Sequence, residues 1–398
     1  MWRRNGFSLI NQIYFYHNVR CRQEMLDRDV MLLQIAATLI DSNEFLVHIL
    51  NRFNLMNWAR EDYEVNYYKS NDEDNMRQTV VLVEEYLQLV MTLVAERYTP
   101  GIGQVEEEDR IKKEIIQLLC IEPMPHSVLN KALPEGPNHE TGMEKVIDEV
   151  ADFKKSSGNA KGFFELKPEY YSHYNLFFYH YTREEQSKSE VGQRLRKKGA
   201  GEEECCPPPV PPPFTVPFTM IVNILQCDVF LHIIKTVLKR MSEPKTQSVS
   251  ESQLQKVLHL IGYALHEEER YHHNSDPYFH FTRRAQKINL LSLLGRLVGH
   301  RRTTTHKDLL TWTIKKYHAV LNLSSDSAKP SQASEAVLAS TSSSDTASAS
   351  AEKKKRADIA AQRKARIMAK MASMQQNFIK TNETFFKVSI AFSYSIKV

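Results

Sequence analysis

The chain has 398 residues, of which 42% are hydrophobic and 25% are charged, and its formal net charge is +4. This length and composition suffice for two or three packed domains, whereas 13 glycines are too few for a turn-rich β-sandwich, a β-barrel or a glycine-rich phosphate-binding fold. The five scattered cysteines include no Cys-x-x-Cys pair, which argues against a disulfide framework and a zinc finger. We therefore expect a mainly α, soluble, intracellular protein.

The first part of the chain, 1–105, predicts a helical scaffold. Asp41 and Glu44 have the spacing of a capping box in front of an apolar helix. Apolar residues in 76–94 recur at helical spacing, and Pro100 and Gly101 follow as a stop. The most apolar run contains two glutamates, so we expect no membrane span.

The next part, 106–182, predicts a winged-helix (α+β) module. Apolar spacing indicates helices at about 109–121, 126–133 and 143–155, and aromatic strands follow between 162 and 179. Three short helices followed by strands are the order of a winged helix, which is most often a DNA reader.

The third of these helices would read the DNA, and its charge is unfavourable for that role. Residues 143–155 hold four acidic and three basic side chains, a net charge of −1, which phosphates would repel. A protein-scaffolding winged helix is therefore favoured over DNA binding, and we expect no nucleic acid as a partner.

Two different segments follow the winged helix. Residues 183–215 predict a charged and proline-rich linker, in which Pro207 to Pro213 would form a stiff polyproline II spacer, with an SH3 or WW ligand as the alternative. Residues 216–323 predict a second helical domain with helices at about 216–240, 250–266, 288–298 and 306–323, and a short strand at 276–281.

The C-terminal part combines a predicted disordered linker with a basic helix. Residues 324–351 contain 11 Ser, 7 Ala and 2 Thr and cannot bury a core. Residues 352–382 are rich in helix formers, and within them 353–370 carry eight basic and one acidic side chain, a net charge of +7. Removing this segment leaves −3 for the rest of the chain.

This basic helix also has a narrow apolar stripe, formed by Ile367, Met371, Met374 and Phe378 at helical spacing. A helix with basic and Met-rich faces on a flexible tether indicates binding to a partner. A solvated helix, an anionic membrane, calmodulin and nucleic acid are the alternatives that composition leaves open.

Metal and catalytic sites are not indicated. His17 and Cys21 are four residues apart, but zinc needs three or four ligands. His272, His273 and His280 lie near Asp276 in a segment that reads as a solvated loop. The sequence shows no catalytic motif, so we expect no active site, metal or cofactor in this chain.

Several long strings in this sequence are unusual enough to identify a family. They are 1–6, 98–105, 113–116, 141–144, 165–169, 257–262 and 361–371. Together they resemble the central region of the large N-recognins, the UBR-box E3 ubiquitin ligases, over the chain to about residue 380. The resemblance is strongest to the second of the two near-twin mammalian members.

The resemblance implies a division of labour. Such ligases grip N-degron substrates with a zinc-binding UBR box, often beside a ClpS-like domain, and a RING domain activates the ubiquitin-charged E2. This sequence lacks those Cys/His clusters, so the resemblance implies an internal piece without zinc, acting in the cytoplasm and nucleus. The tail 383–398 diverges from the family, and we expect no ligase activity from these residues alone.

The resemblance also implies a partner for the basic helix. Residues 106–182 match the family's winged helix, and 352–382 match the region in which the family holds the back side of its ubiquitin-conjugating E2. The implied E2-binding residues are Arg363, Lys364, Arg366, Ile367, Lys370, Met371, Met374 and Phe378.

Overall fold

The computed structural model describes residues 2–64, 73–136, 139–155, 162–244, 246–273 and 278–326. The predicted mainly helical fold is confirmed, because most of these residues are helical and they form a single sheet of two strands. Of the predicted linker, 324–326 continues the last helix and the remainder is outside the described residues. The predicted basic helix 352–382 and the tail 383–398 also lie outside them.

The first helical region contains α1 Trp2–His17, α2 Leu26–Leu39, α3 Ser42–Arg52 and α4 Glu73–Ala95. Only the Asp41 half of the predicted capping box is confirmed: the Asp41 side chain accepts hydrogen bonds from the backbone N–H groups of Asn43 and Glu44, whereas the Glu44 carboxylate contacts His48. The chain then turns at Gly101, whose φ of 91° favours glycine.

Helix α4 is long and apolar enough to cross a membrane, and the bent pair Val216–Gln226 and Asp228–Ser242 passes the same test of length and composition. However, 44% of the qualifying window of α4 is buried inside the protein. Val83, Leu87 and Leu93 of this helix lie in the hydrophobic core. The helix therefore packs as a core element of the described fold.

The winged-helix order is present. It consists of α5 Glu107–Ile121, α6 His126–Ala132, the short α7 Ile147–Val150, and the antiparallel strands β1 Ala151–Lys154 and β2 Phe163–Leu166. A 3₁₀ turn, Met143–Lys145, precedes α7. Met124 pairs with Phe164 beside the sheet.

The prediction of a third helix reaching Lys155 was wrong. The helix ends at Val150, and the next four residues form β1. Phe153, which the predicted helix 143–155 includes, instead pairs with Phe164 across the strands at 5.3 Å between ring centroids. Aromatic pairs across neighbouring strands stabilise a sheet, so this contact favours the strand at Phe153.

The predicted aromatic strands after β2 were also wrong. Tyr170 and Tyr171 lie in a 3₁₀ helix, Pro168–His173, which begins with proline at its first position. The Asn175 side chain then accepts a hydrogen bond from the backbone N–H of Phe177, so the chain turns instead of extending.

The segment 183–215 is not a linker in the structure. It begins with α8 Arg183–Gly199, which Thr182 and Glu185 cap reciprocally. The buried Gln193 side chain donates to the carbonyl of Cys120 on α5 at 3.0 Å. Polar side chains make this contact, which explains why apolar periodicity did not reveal the helix.

The proline run is neither a free spacer nor a free peptide ligand. Residues Cys205–Phe214, here called the proline strap, run extended beside the helix Glu251–His273. The carbonyl of Pro208 is bound by His266 at 3.2 Å, and a Cβ on Gly262 would lie 2.5 Å from the Pro208 ring. Proline has no N–H, so carbonyl contacts anchor this strap.

The second helical block contains the 3₁₀ helix Val216–Gln226, α9 Asp228–Ser242, α10 Glu251–His273, α11 Phe281–Lys287, α12 Leu290–Leu297, the 3₁₀ helix Arg301–His306 and α13 Lys307–Asp326. The predicted helix 216–240 is broken because Cys227 has extended backbone angles. The predicted strand 276–281 does not form at 278–281, where Phe281 begins α11, and 276–277 lie outside the described residues.

One hydrophobic core connects these parts. It runs from Val30 through Leu119 of the winged helix to Val320 on the last helix. Helix α10 is central to it, since Leu254, Leu258 and Ile261 are fully buried. The described residues between Val30 and Val320 therefore share one continuous core.

Candidate scaffold interface

The eight residues predicted to bind the E2 lie between 363 and 378 and so fall outside the described residues. They are Arg363, Lys364, Arg366, Ile367, Lys370, Met371, Met374 and Phe378. Their role stays a prediction. The structure instead reveals how the region that precedes them is held together.

The surface around α7 carries acidic side chains that are mostly exposed. Glu144 contacts His126 at 2.5 Å, and Glu149 contacts Lys112 at 2.8 Å. Asp148 and Asp152 are exposed beside them. Such a surface lacks the concentrated positive charge with which a DNA reader neutralises phosphates.

A buried group of charges joins the first helical region to the winged helix. This junction cluster consists of Arg22, Asp27, Glu114, Tyr179 and His180. The Glu114 carboxylate contacts Arg22 Nη2 at 3.0 Å and His180 Nδ1 at 2.7 Å. His180 Nε2 and the Tyr179 hydroxyl contact Asp27 Oδ1 at 2.7 and 2.9 Å. Three separate parts of the chain therefore meet at two carboxylates.

The electrostatics of the junction cluster favour the ionised forms. Burial opposes ionisation of Glu114, but His180 and Arg22 outweigh it and lower the pKa of this carboxyl to about 2. Burial opposes protonation of His180, but Glu114 and Asp27 outweigh it and raise the pKa of the ring. Removing one partner would leave an uncompensated buried charge, which is strongly destabilising.

A second buried ion pair fixes the proline strap. Arg97 follows α4 and is 0% exposed, and its Nη1 contacts Glu267 of α10 at 2.8 Å. The same atom donates to the carbonyl of Pro212 at 3.1 Å, and the guanidinium lies 3.9 Å from the ring centre of Phe214. Arg97 thereby links the first helical region, the strap and the second helical block.

A third contact joins the two helical regions elsewhere. Arg240 of α9 donates to the carbonyls of Trp58 and Arg60 at 2.7 and 2.9 Å. Its guanidinium lies 5.1 Å from the Trp58 ring centre. These three contacts were missed by sequence reasoning, since a charged residue in an amphipathic helix reads as exposed until its partners are known.

The histidines, acidic residues and cysteines are the side chains that could bind a metal ion or act as nucleophiles. Within the described ranges no group of three or more His, Cys, Asp and Glu side chains could hold a metal ion. His272 contacts Glu268 at 3.7 Å, whereas Asp276 lies outside the described residues. All five cysteines are free thiols, and burial raises the pKa of Cys205, Cys206 and Cys227 to about 11. These thiols are therefore poor nucleophiles.

Two family models match the chain. Residues 1–89 match the UBR1/2/3-like ARM repeat domain. Residues 110–208 match the winged-helix domain described as E3 ubiquitin-protein ligase UBR1-like. The second match extends through α8 into the proline strap, which agrees with the packing of both on the winged helix and α10.

Relatives match the chain over nearly its whole length. E3 ubiquitin-protein ligase UBR1 of Drosophila melanogaster is 43% identical over 97% of this chain, and UBR2 of Homo sapiens is 43% identical over 98%. UBR1 of Homo sapiens is 37% identical over 97% of this chain. The chain spans 21%, 23% and 22% of these three relatives, respectively. The chain therefore carries UBR1/2/3-like ARM-repeat and winged-helix domains and is similar, over nearly all of its own length, to the E3 ubiquitin-protein ligases UBR1 and UBR2.

Proposed function

We propose that this chain is the scaffold region of a RING-type E3 ubiquitin ligase and that its segment 352–382 docks a ubiquitin-conjugating E2. The relatives at 37–43% identity are named E3 ubiquitin-protein ligases. The observation that carries the scaffold role is the continuous core that runs from Val30 to Val320 with its buried charged contacts. N-degron recognition and ubiquitin transfer would belong to the zinc-binding UBR box and RING of the family.

The winged helix supports this role because its surface is used for internal packing. Its α5 contributes Glu114 to the junction cluster and holds α8 through the carbonyl of Cys120. The exposed acidic residues near α7 disfavour phosphate binding. Protein contacts are therefore the better-supported use of this module.

Charge and spacing support E2 docking by the basic segment. Residues 353–370 carry a net charge of +7, whereas the rest of the chain carries −3. The stripe of Ile367, Met371 and Met374 adds an apolar contact that would distinguish a folded protein surface from a phosphate backbone. If the residues between Asp326 and the basic segment 352–382 form a random coil, they would separate the two by roughly 30 Å.

Binding of the complete chain to a panel of purified ubiquitin-conjugating E2 enzymes, measured by biolayer interferometry, tests the proposal. We expect saturable binding of at least one E2. The combined change Ile367→Glu, Met371→Glu and Met374→Glu should abolish that binding, because it places three charges in the apolar stripe.

The control is Met368→Glu, which introduces one such charge at a residue next to the stripe and should preserve binding. No saturable binding by any E2, or equal binding by the triple variant, would contradict E2 docking. Binding of duplex DNA with a steep salt dependence that tolerates the triple variant would favour the nucleic-acid alternative instead. Flotation with anionic liposomes tests the alternative of membrane binding, and calcium-dependent capture by calmodulin tests the alternative of calmodulin binding.

A further inference from the structure

His180 of the junction cluster has a carboxylate at each of its two ring nitrogens. Its Nε2 lies 2.7 Å from Asp27 Oδ1, and its Nδ1 lies 2.7 Å from Glu114 Oε1. A neutral imidazole carries only one N–H, so it could donate to one of these oxygens and would turn a lone pair towards the other. Both contacts are hydrogen bonds only when the ring holds two protons and a positive charge.

The two carboxyl groups do not supply the second proton. Burial opposes ionisation of Asp27, but its contacts with His180 and Tyr179 outweigh burial and lower the pKa of this carboxyl. The pKa of Glu114 is lowered to about 2 in spite of its burial, because His180 and Arg22 lie beside it. Both groups are therefore ionised at neutral pH, and the proton belongs to the His180 ring.

This proton also balances the charge of the junction cluster. With it, the carboxylates of Asp27 and Glu114 face one guanidinium, Arg22, and one imidazolium. Without it, one negative charge is left uncompensated where the His180 and Glu114 side chains are only 4% and 8% exposed. The other charged or titratable groups around the ring are already paired or neutral: Lys113 of α5, which pairs with Glu96, Arg28 of α2, which pairs with Glu24, His17 of α1, whose pKa burial lowers, and Tyr179, whose pKa burial raises.

The protonated ring bridges two parts of the chain. Asp27 lies on α2 of the first helical region, and Glu114 lies on α5 of the winged helix. A cavity of about 360 Å³ borders the bridge and is lined by both carboxylates, Tyr179 and His180. Its polar walls leave room for water, through which the ring can exchange its proton. If the ring loses this proton, Arg22 still contacts Glu114 and Tyr179 still contacts Asp27, so the junction loosens without losing all its contacts.

We propose that His180 makes the junction between the first helical region and the winged helix a pH-sensitive latch, which is closed while the ring is protonated and loosens as the pH rises. Burial opposes protonation of the ring, but Glu114 and Asp27 outweigh it and raise the pKa of His180 above its ordinary 6.5. The folded protein therefore keeps a proton that the unfolded chain releases. The stabilisation from His180 is complete below pH 6.5 and is lost as the pH rises through the raised pKa.

Urea unfolding of the complete chain and of its His180→Gln variant between pH 6 and pH 9 tests this proposal. The variant should be less stable at pH 6, and the ratio of its unfolding constant to that of the parent should fall by up to about tenfold per pH unit above pH 6.5, because one proton is released. Cysteines and tyrosines titrate in both proteins, so the ratio isolates His180.

His17→Gln is the matched control, because it removes a neighbouring histidine that pairs with neither Asp27 nor Glu114. The pKa of His17 is lowered, so this ring is neutral above pH 6.5 and the ratio for this variant should stay constant there. Hydrogen exchange of the parent at pH 7 and pH 9 locates the effect. The protection factors of α2 and α5 should fall with pH, whereas those of α12, which packs on α9, α11 and α13, should not.

A ratio for His180→Gln that stays constant across this pH range, or protection of α2 and α5 that does not change with pH, would overturn the proposal. If His180→Gln does not fold, carbon-13 NMR of the histidine rings in the parent decides the question. A ring that keeps its proton above pH 7 supports the latch, and the absence of any such ring overturns it. E2 docking does not enter these measurements, so failure of the latch leaves the proposed function untouched.

Discussion

Glu114 joins the winged helix to the first helical region through both of its carboxylate oxygens. Its two oxygens separately contact Arg22 and His180, which come from different parts of the chain. Its side chain is only 8% exposed, so water cannot replace a lost partner. Such a carboxylate is retained only where its charge is fully compensated.

We expect Glu114→Gln to lower the free energy of unfolding at pH 7 by about 3 kcal/mol, because Arg22 and His180 lose their counter-charge. The pKa of Glu114 is lowered from 4.5 to about 2 in the folded protein. Its stabilisation is therefore present above pH 4.5 and is lost as the pH falls towards 2. The difference in stability between the parent and the variant should shrink over that range, as measured by urea unfolding at several pH values.

The control for this prediction is Glu107→Gln on the same helix. The Glu107 side chain is 54% exposed and pairs with Arg110, so its loss should cost less than about 1 kcal/mol. Equal losses for the two variants, or a Glu114→Gln effect that does not change between pH 7 and pH 3, would contradict the role given to the junction cluster.

The burial of Glu114, Arg97 and Arg240 could not be predicted from the sequence. Each lies in or beside an amphipathic helix, where a charged residue ordinarily faces solvent. Their burial depends on partners 92, 170 and 182 positions away. The Asp41 cap was predictable, by contrast, because its partners are two and three residues away.

Helices with strong apolar periodicity were predicted, and those held by polar contacts were not. α4, α5 and α10 present buried Val, Leu and Ile at helical spacing. α8 was interpreted as a linker because Ser189 and Gln193 form its buried face. The apolar spacing across α7 and β1 fitted one continuous helix. The second part of it is a strand because it pairs with β2.

The cap of α8 provides a test at the level of the element. Thr182 accepts a hydrogen bond from the backbone N–H of Glu185, whose side chain accepts one from the backbone N–H of Thr182. We expect Thr182→Ala to lower the free energy of unfolding by about 1 kcal/mol and to speed amide hydrogen exchange in the first turn of α8.

Ser187→Ala is the matched control, since Ser187 is exposed within the same helix. It should change neither the free energy of unfolding nor the exchange rates by a comparable amount. If amide hydrogens in the first turn of α8 exchange no faster in Thr182→Ala than in this control, the reciprocal cap does not stabilise the N-terminus of α8.

At the scale of the molecule, the family and the helical order were predictable, but the continuity of the described region was not. The sequence suggested separate scaffold, winged-helix and second helical domains joined by a spacer. The structure instead places the proline strap between parts that it was expected to separate, with Arg97 contacting both Pro212 and Glu267. A proline-rich spacer and a buried proline strap can have the same composition. What distinguishes the strap is the presence of hydrogen-bond donors beside its backbone carbonyls.

The most direct test of the scaffold is whether residues 2–326 open as one unit. Native-state hydrogen exchange in the complete chain, with increasing urea, measures the opening free energy of each helix. The contacts through Glu114, Arg97 and Arg240 predict that the buried amides of α4, α5 and α10 share one highest free energy and merge into a single transition. Opening of α5 at a distinctly lower free energy, while α10 stays protected, would show that the winged helix is an independent domain and would contradict the scaffold.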